Sequence, residues 1–326
     1  MTTNGASAII ERQLSLRSFE PPKWFVEPAV RSCRFFNTAL DFLFYDVPAL
    51  SRAQNGRQLT IPGRSEVVDL FDALSDPEGS LLVIDARSAP HVRKYQSVTE
   101  FLKSSASRDV LIATITGVGS SALGSAALGW NISDALKMRV LAIVPGYGVA
   151  DVMLQAFGGW FAFGLHDFLQ SKTFIQTALA IAAPEAARIG RNLAASTPGE
   201  RIAPGGAPMF RYGSGSSDVL HALLEDPGTR FRLLVGHSKG ALQINNAIQS
   251  LEANRTDGLR VVTLGCPIPH TVTGVQYHQY LGLFDALGQL NAWANRPDHW
   301  PPTWHSTNPA FPPAMCAGEI ASESVQ

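Results

Sequence analysis

One serine is set apart by its neighbours. Leu233-Leu234-Val235-Gly236-His237-Ser238-Lys239-Gly240-Ala241-Leu242 is a short apolar run that breaks into Gly-x-Ser-x-Gly and then resumes with helical spacing. A reversal this tight forces its central residue into strained backbone geometry and lifts that side chain clear of its surroundings, so the flanking positions tolerate no bulk. Gly236 and Gly240 provide that clearance. Ser238 is then expected exposed at the carboxyl end of a strand and at the start of a helix, where unpaired N–H groups and the helix dipole favour an oxyanion. The chemistry this suits is acyl transfer, with Ser238 as nucleophile and the backbone N–H of Lys239 as first oxyanion donor. The Lys239 side chain has two readings: it recognises a substrate carboxylate or phosphate, or it is a solvated or salt-bridged residue at a helix start.

The elements that must hold this serine are legible on either side of it. Phe231 to Val235 is too short and too continuously apolar for an amphipathic helix, which predicts a strand buried on both faces of a parallel sheet. From Ala241 the apolar positions are Ala241, Ile244, Ala247 or Ile248, and Leu251, one stripe of a 3.6-residue period. In that strand-turn-helix setting, Gly236-His237-Ser238-Lys239-Gly240 resembles the nucleophile elbow of the α/β-hydrolase superfamily. The resemblance implies an α/β fold: a mostly parallel central sheet, helices on both faces and an inserted helical cap. It also implies a serine hydrolase that uses neither metal nor cofactor.

In that superfamily the partners follow in the order Ser, acid, His. Of the acids after Ser238, Glu252 and Asp257 fall on or just beyond the elbow helix, and Glu319 and Glu323 lie in a polar tail. Asp285 follows the apolar run Tyr280-Leu281-Gly282-Leu283-Phe284, where a strand would deliver it to a carboxyl edge, and is the first choice, with Asp298 second. Among His270, His278, His299 and His305, the last follows both acids on a segment stiffened by Pro301-Pro302 and Pro309. His305 is therefore the expected base, with His299 next. His237 adjoins the nucleophile and is directed away from it, which predicts a packing role.

A second informative region runs from Asp109 to Gly148. Asp109 to Thr116 is a β-branched apolar run, Gly117-Val118-Gly119-Ser120-Ser121 a loop, Ala122 to Leu136 a helix by composition, and Arg139 to Val144 a strand closed by Pro145-Gly146-Tyr147-Gly148. This order resembles the superfamily's third strand, oxyanion loop, first helix and fourth strand, and implies Val118 N–H as second oxyanion donor. Thr116 stands where many relatives carry His. The same glycines could cradle a phosphate, but the third glycine of a dinucleotide fingerprint and the Gly-Lys-Ser/Thr of a P-loop are missing. Val110 to Ser133 is uncharged and long enough to cross a bilayer, yet its Gly, Ser, Ala and Thr content favours a buried strand followed by a small-residue helix.

Residues 149–216 exceed what a simple crossover needs and read as the inserted cap. Phe157, Trp160 and Phe161 head its aromatic cluster and are the candidate substrate-binding residues, by shaping an acyl pocket or touching a lipid surface; packing inside the cap is the commoner use of such a cluster. Ser171 to Leu193 reads as two helical pieces divided at Pro184, and Asp218 to Leu224 as a further helix. Around this core, residues 1–35 are expected as an arm or tail, 36–316 as the hydrolase domain, and 317–326 as a polar C-terminal tail. Phe36 to Ser51 has helical spacing that Pro48 ends or kinks, Glu66 to Leu74 is amphipathic, Leu81 to Ile84 is a strand, and Ser97-Val98-Thr99-Glu100 has capping-box form. Leu259 to Leu264 is another buried strand, closed by Cys266-Pro267-Ile268-Pro269. From about Arg230 to His305 the chain is loosely similar to the class 3 lipases.

Composition bounds the partners. Charged residues are 16% of the 326, against a usual quarter, and 45% are hydrophobic, which suggests an extensive interior. A net charge of −1 gives no electrostatic case for nucleic acid or an anionic membrane. Cys33, Cys266 and Cys316 have neither disulfide-framework nor metal-site spacing, and the first residues lack the pattern of a signal peptide, so a cytoplasmic location is expected. The expected activity is hydrolysis of a carboxylic ester with a moderately apolar acyl group, small or lipid-like. A thioesterase or acyltransferase would use the same elbow, and a catalytically silent relative would bind lipid or polyester surfaces.

Overall fold

A computed structural model describes residues 38–53, 59–60, 67–68, 78–95, 97–117, 120–145, 174–179, 181–183, 215–249, 251–268, 270–292 and 295–325, with positions 28 and 32. In chain order the strands are β1 (Leu59–Thr60), β2 (Val67–Val68), β3 (Leu81–Ile84), β4 (Val92–Tyr95), β5 (Ile112–Ile115), β6 (Val140–Ile143), β7 (Leu233–His237), β8 (Arg260–Leu264) and β9 (Gln276–Tyr280). The helices are α1 (Val47–Ala53), α2 (Val98–Lys103), α3 (Ala106–Asp109), α4 (Ala122–Leu136), α5 (Gly215–Glu225), α6 (Lys239–Ile248), α7 (Ala253–Thr256), α8 (Ala286–Asn291) and α9 (Ala317–Ser324). Residues 38–44 are helical as well.

These strands form one mixed sheet in the order β2-β1-β4-β3-β6-β5-β7-β8-β9. From β6 to β9 every neighbouring pair is parallel, whereas β3 is antiparallel to both β6 and β4. Alternate side chains of the central strands serve opposite layers, as the pleat requires. Ile112, Leu233, Val235 and Val262 pack with Val47 and Leu50 of α1, Ala126 and Ile132 of α4, and Ala317 and Ile320 of α9. Ala113, Ile115, Leu234 and Val261 pack with Phe101 of α2, Leu220 and Leu223 of α5, and Ile244 and Ile248 of α6. Helices thus cover both faces, and the unbroken apolar runs of the sequence are strands buried on both sides. Full burial of each such Leu, Ile or Val side chain is worth roughly 1.5–3 kcal/mol.

The stretch from 110 to 133 that imitates a membrane span is β5 followed by α4. Its small residues let α4 lie close to the sheet: a Cβ added at Gly129 would come within 2.9 Å of Ile84 Cγ1. Two hydroxyls of α4 are paired locally, Ser125 with the Ser121 carbonyl and Ser133 with the Met138 carbonyl. No helix among the described residues is long and apolar enough to cross a membrane.

Several local expectations need correction. Pro48 does not end the first helix. The helical residues 38–44 stop at Tyr45-Asp46, Asp46 caps α1 by accepting from the Ala49 N–H, and Pro48 sits in the first turn, where its missing N–H costs nothing. The expected polar tail is α9, whose Ala317, Ile320, Ala321 and Ser324 form a buried i, i+3, i+4, i+7 stripe. The last strand ends at Tyr280, so Leu283 and Phe284 lie exposed on a loop rather than in a strand. Within 66–74, Val67–Val68 is strand and the remainder lies outside the described residues, as do the arm before residue 38, apart from positions 28 and 32, and nearly all of 149–214. In α2 the anticipated cap is present, with Ser97 Oγ accepting from Glu100 N at 3.1 Å.

Candidate active site

The bend that carries the nucleophile candidate follows from steric constraints on three positions. Ser238 has φ 53° and ψ −127°, a left-handed conformation that a side chain rarely adopts. It is fixed from both sides, by its N–H to the Leu264 carbonyl at 2.8 Å and by its carbonyl from Ala241 N at 3.0 Å. A Cβ at Gly236 would lie 2.5 Å from Ala241 Cα, inside the first turn of α6, and one at Gly240 would run into the Ile115 carbonyl of β5. Both glycines are required because α6 must turn back directly against β7 and β5. The expected exposure is not there: Ser238 is buried, only 8% exposed, because Gly117 of the loop after β5 lies against it, and its Oγ makes no hydrogen bond among the described residues.

Asp285 and His305 meet at the same edge of the sheet. His305 Nδ1 donates to Asp285 Oδ2 at 2.8 Å in a buried contact. A carboxylate can only accept, so Nδ1 carries the hydrogen of this contact, and in the neutral ring Nε2 presents a lone pair. The other carboxylate oxygen, Oδ1, accepts from Gly288 N at 2.6 Å and caps α8, which locks the acid's orientation. Both side chains lie against Gly265, where an added Cβ would be 2.9 Å from the His305 ring and 3.0 Å from Asp285 Oδ2. The preceding carbonyl, that of Leu264, holds Ser238 N. The end of β8 is therefore the corner at which the serine, the imidazole and the carboxylate converge.

The two runners-up are engaged elsewhere. Asp298 Oδ2 accepts from Gln279 N at 2.9 Å, and His299 stacks on the Tyr280 ring at 4.4 Å between centroids. Lys239 opens α6 and is wholly buried, which removes the solvated reading of its side chain. Thr116 Oγ1 pairs with Ser125 Oγ at 3.0 Å. Val118, Phe157, Trp160 and Phe161 lie outside the described residues. Gly117, just before Val118, is beside the elbow: a Cβ there would be 3.3 Å from Ser238 Cβ.

The helical residues 38–44 and the segment after His305 lie against the site. The carbonyls at the end of helix 38–44 have no partners within the helix. They are taken up by the segment after His305: Ser306 Oγ donates to Leu43 O, Thr307 Oγ1 and N to Phe44 O, and Asn308 Nδ2 to Phe42 O, all within 2.7–3.0 Å. Phe44 meets the His305 ring edge-on at 5.7 Å. Asp41, from the same helix, accepts from Ser120 Oγ, Ser121 Oγ and Ser121 N at the start of α4. Burial pushes the Asp41 carboxyl up to about 7, with the serine hydrogen bonds opposing that rise.

His237 is joined to the same helix. Its Nε2 faces the His305 carbonyl at 2.8 Å, and its Nδ1 faces Tyr45 Oη at 2.7 Å. A carbonyl can only accept, so Nε2 carries the hydrogen, Nδ1 accepts, and the tyrosine hydroxyl donates. Burial and the neighbouring His305 hold His237 down to about 3, so it stays neutral. Cys266, next to Gly265, is pushed up to about 12 by burial and the Asp285 charge, which leaves it an inert thiol. In the sequence only helical spacing marks Phe36 to Ser51. That pattern reports a buried face but not what the face touches.

Compared with protein-family models, characterised proteins and solved structures, the chain matches none of them.

Proposed function

We propose that this protein is a serine hydrolase of α/β-hydrolase type that cleaves a carboxylic ester through an acyl-enzyme on Ser238. The observation that carries this reading is the convergence at the end of β8 of a left-handed, sharply turned Ser238 with a buried, hydrogen-bonded Asp285–His305 pair. The sheet supports it independently. The chain passes from β5 to β6 on one side and then to β7 on the other, so β5 and β7 flank a switch point, and ligands in open α/β sheets bind beyond the carboxyl ends at such points. Ser238 follows β7, and Gly117-Val118 follow β5.

In this mechanism His305 Nε2 takes the proton of Ser238 as Oγ attacks the acyl carbonyl, and Asp285 holds the imidazole in the needed tautomer and stabilises its cation. The N–H groups of Lys239 and Val118 receive the oxyanion, at about 3–4 kcal/mol per donor. The protonated His305 then gives its proton to the leaving alkoxide, and water, activated by the same ring, releases the acid. A moderately apolar acyl group suits the aromatic residues of segment 149–216, Phe157, Trp160 and Phe161.

The test is turnover of nitrophenyl esters graded by acyl length, with acyl thioesters in parallel. Wild type is expected to hydrolyse the esters, and Ser238→Ala to lose at least about a thousandfold in kcat/KM. Folded wild type that turns over neither class, or a Ser238→Ala variant of equal activity, would overturn the reading.

A further inference from the structure

The mechanism above leaves Tyr45 and His237 without a role, although both are buried against the site. Tyr45 Oη accepts from Gly117 N at 2.8 Å and donates to His237 Nδ1 at 2.7 Å, and His237 passes its Nε2 hydrogen to the His305 carbonyl at 2.8 Å. The donors and acceptors run in one direction, from the loop after β5, through the tyrosine, through the residue before the nucleophile, to the backbone of the base. The rings are packed to match: Tyr45 lies edge-on to His237 at 5.3 Å, and His237 and His305 are 4.8 Å apart between centroids. Each link is buried.

We propose that Tyr45 is a positioning residue, whose hydroxyl fixes the loop bearing the oxyanion donor and the imidazole of His305 relative to one another through His237. This rests on the serine hydrolase reading and deepens it. The consequence is specific. Gly117 N–H is committed to the tyrosine and is not itself an oxyanion donor, so the hydroxyl holds the first peptide of the loop after β5. At the other end the His305 backbone is anchored by a neutral ring. Asp285 fixes how the imidazole is rotated, and the Tyr45–His237 chain fixes where it stands. Loss of the hydroxyl loosens both reacting partners together, so it acts on the chemical step and not on binding.

The experiment is saturation kinetics of a fluorophosphonate probe, which separates the maximal inactivation rate from the probe's apparent affinity. Tyr45→Phe keeps the ring and removes the hydroxyl. It is expected to lower the maximal rate about tenfold to a hundredfold with apparent affinity within about twofold of wild type. Tyr277 is the control: its hydroxyl also accepts from a backbone N–H, that of Val272, and donates to a side chain, Asn245 Oδ1, but at the amino-terminal end of β9. Tyr277→Phe is expected to lower thermal stability by a similar amount and to leave the inactivation rate unchanged. A second pair reads the same chain without Tyr45 substitution. His237→Gln offers a donor to the His305 carbonyl and an acceptor to Tyr45 and is expected to label faster than His237→Leu, which offers neither. If wild type labels but Tyr45→Phe labels at the wild-type rate, if Tyr277→Phe shares the loss, or if His237→Gln and His237→Leu label alike, the positioning role is overturned. If wild type itself does not label, the hydrolase reading fails and this inference falls with it.

Discussion

Ser238 can be replaced in two ways that remove the same hydroxyl but treat its backbone differently. At φ 53° and ψ −127° any residue with a Cβ is strained, by about 1–3 kcal/mol. Glycine at this position relieves that strain. Against this, glycine leaves the unfolded chain freer than alanine does, by about 0.4–1 kcal/mol, and it forfeits the packing of one nearly buried Cβ, at most about 0.8 kcal/mol. The balance favours Ser238→Gly over Ser238→Ala by about 1 kcal/mol, the reverse of the usual order for this pair. No hydrogen bond of the Ser238 hydroxyl is lost in either variant, so the comparison isolates the bend. For a domain of this size the difference appears as about 2 °C in melting temperature, measured on the two variants side by side by scanning calorimetry. An alanine variant that melts at or above the glycine variant would refute the strained turn, and with it the physical reason for the Gly-x-Ser-x-Gly spacing.

Three further outcomes follow from particular contacts. Asp285→Asn keeps the shape of the acid but presents an amide to His305 Nδ1, so kcat is expected to fall by about 10³–10⁴ with KM little changed; a loss below tenfold would remove Asp285 from the machinery. Gly240→Ala drives a methyl into the Ile115 carbonyl, part of a strand that cannot yield, and is expected to cost about 3 kcal/mol or more or to prevent folding. By contrast, Gly274→Ala meets nothing within 4 Å and costs only about 1 kcal/mol for its φ of +87°; urea melts of equal midpoint would contradict the contrast. The third is a pH effect. With its carboxyl up at about 7 in the folded chain and about 3.9 unfolded, Asp41 stays protonated where the unfolded chain does not, so it makes stability fall as pH rises from about 4 to 7. His237, held down to about 3 by burial and His305, makes stability rise between about 3 and 6.5. The two slopes mask each other in wild type. Asp41→Asn is expected to unmask the second, its stability relative to wild type growing by up to about 1.4 kcal/mol per pH unit between about pH 4 and 7 in urea melts; a pH-independent difference would contradict the assignment.

What was legible in the sequence was what depends on near neighbours. The elbow is written in five consecutive residues because the clashes that select Gly236 and Gly240 arise within one turn of β7 and α6, plus a single strand alongside. The boundaries of α4 and the cap of α2 were readable for the same reason. Asp285 and His305 were singled out by the order that the resemblance implies, and the two are in contact, although the strand expected to deliver the acid ends five residues earlier, at Tyr280. The bracket made by Asp41, Phe44 and Tyr45 was not legible. Its partners lie 72 to 263 residues away along the chain, and an apolar helical stripe says only that a face is buried. The α9 helix was missed on composition. Its outward residues are polar enough to suggest a tail, while in the stripe of Ala317, Ile320, Ala321 and Ser324 only Ile320 carries a strong hydrophobic signal.

The central claim is that Ser238 is a nucleophile activated by His305. It is tested most directly by treating the folded protein with a fluorophosphonate and mapping the modified peptide by mass spectrometry, with His305→Ala alongside. The account predicts one adduct per chain, on Ser238, and a labelling rate at least about a thousandfold lower in His305→Ala. Folded wild type that remains unmodified, an adduct on another residue, or equal labelling of His305→Ala would contradict it.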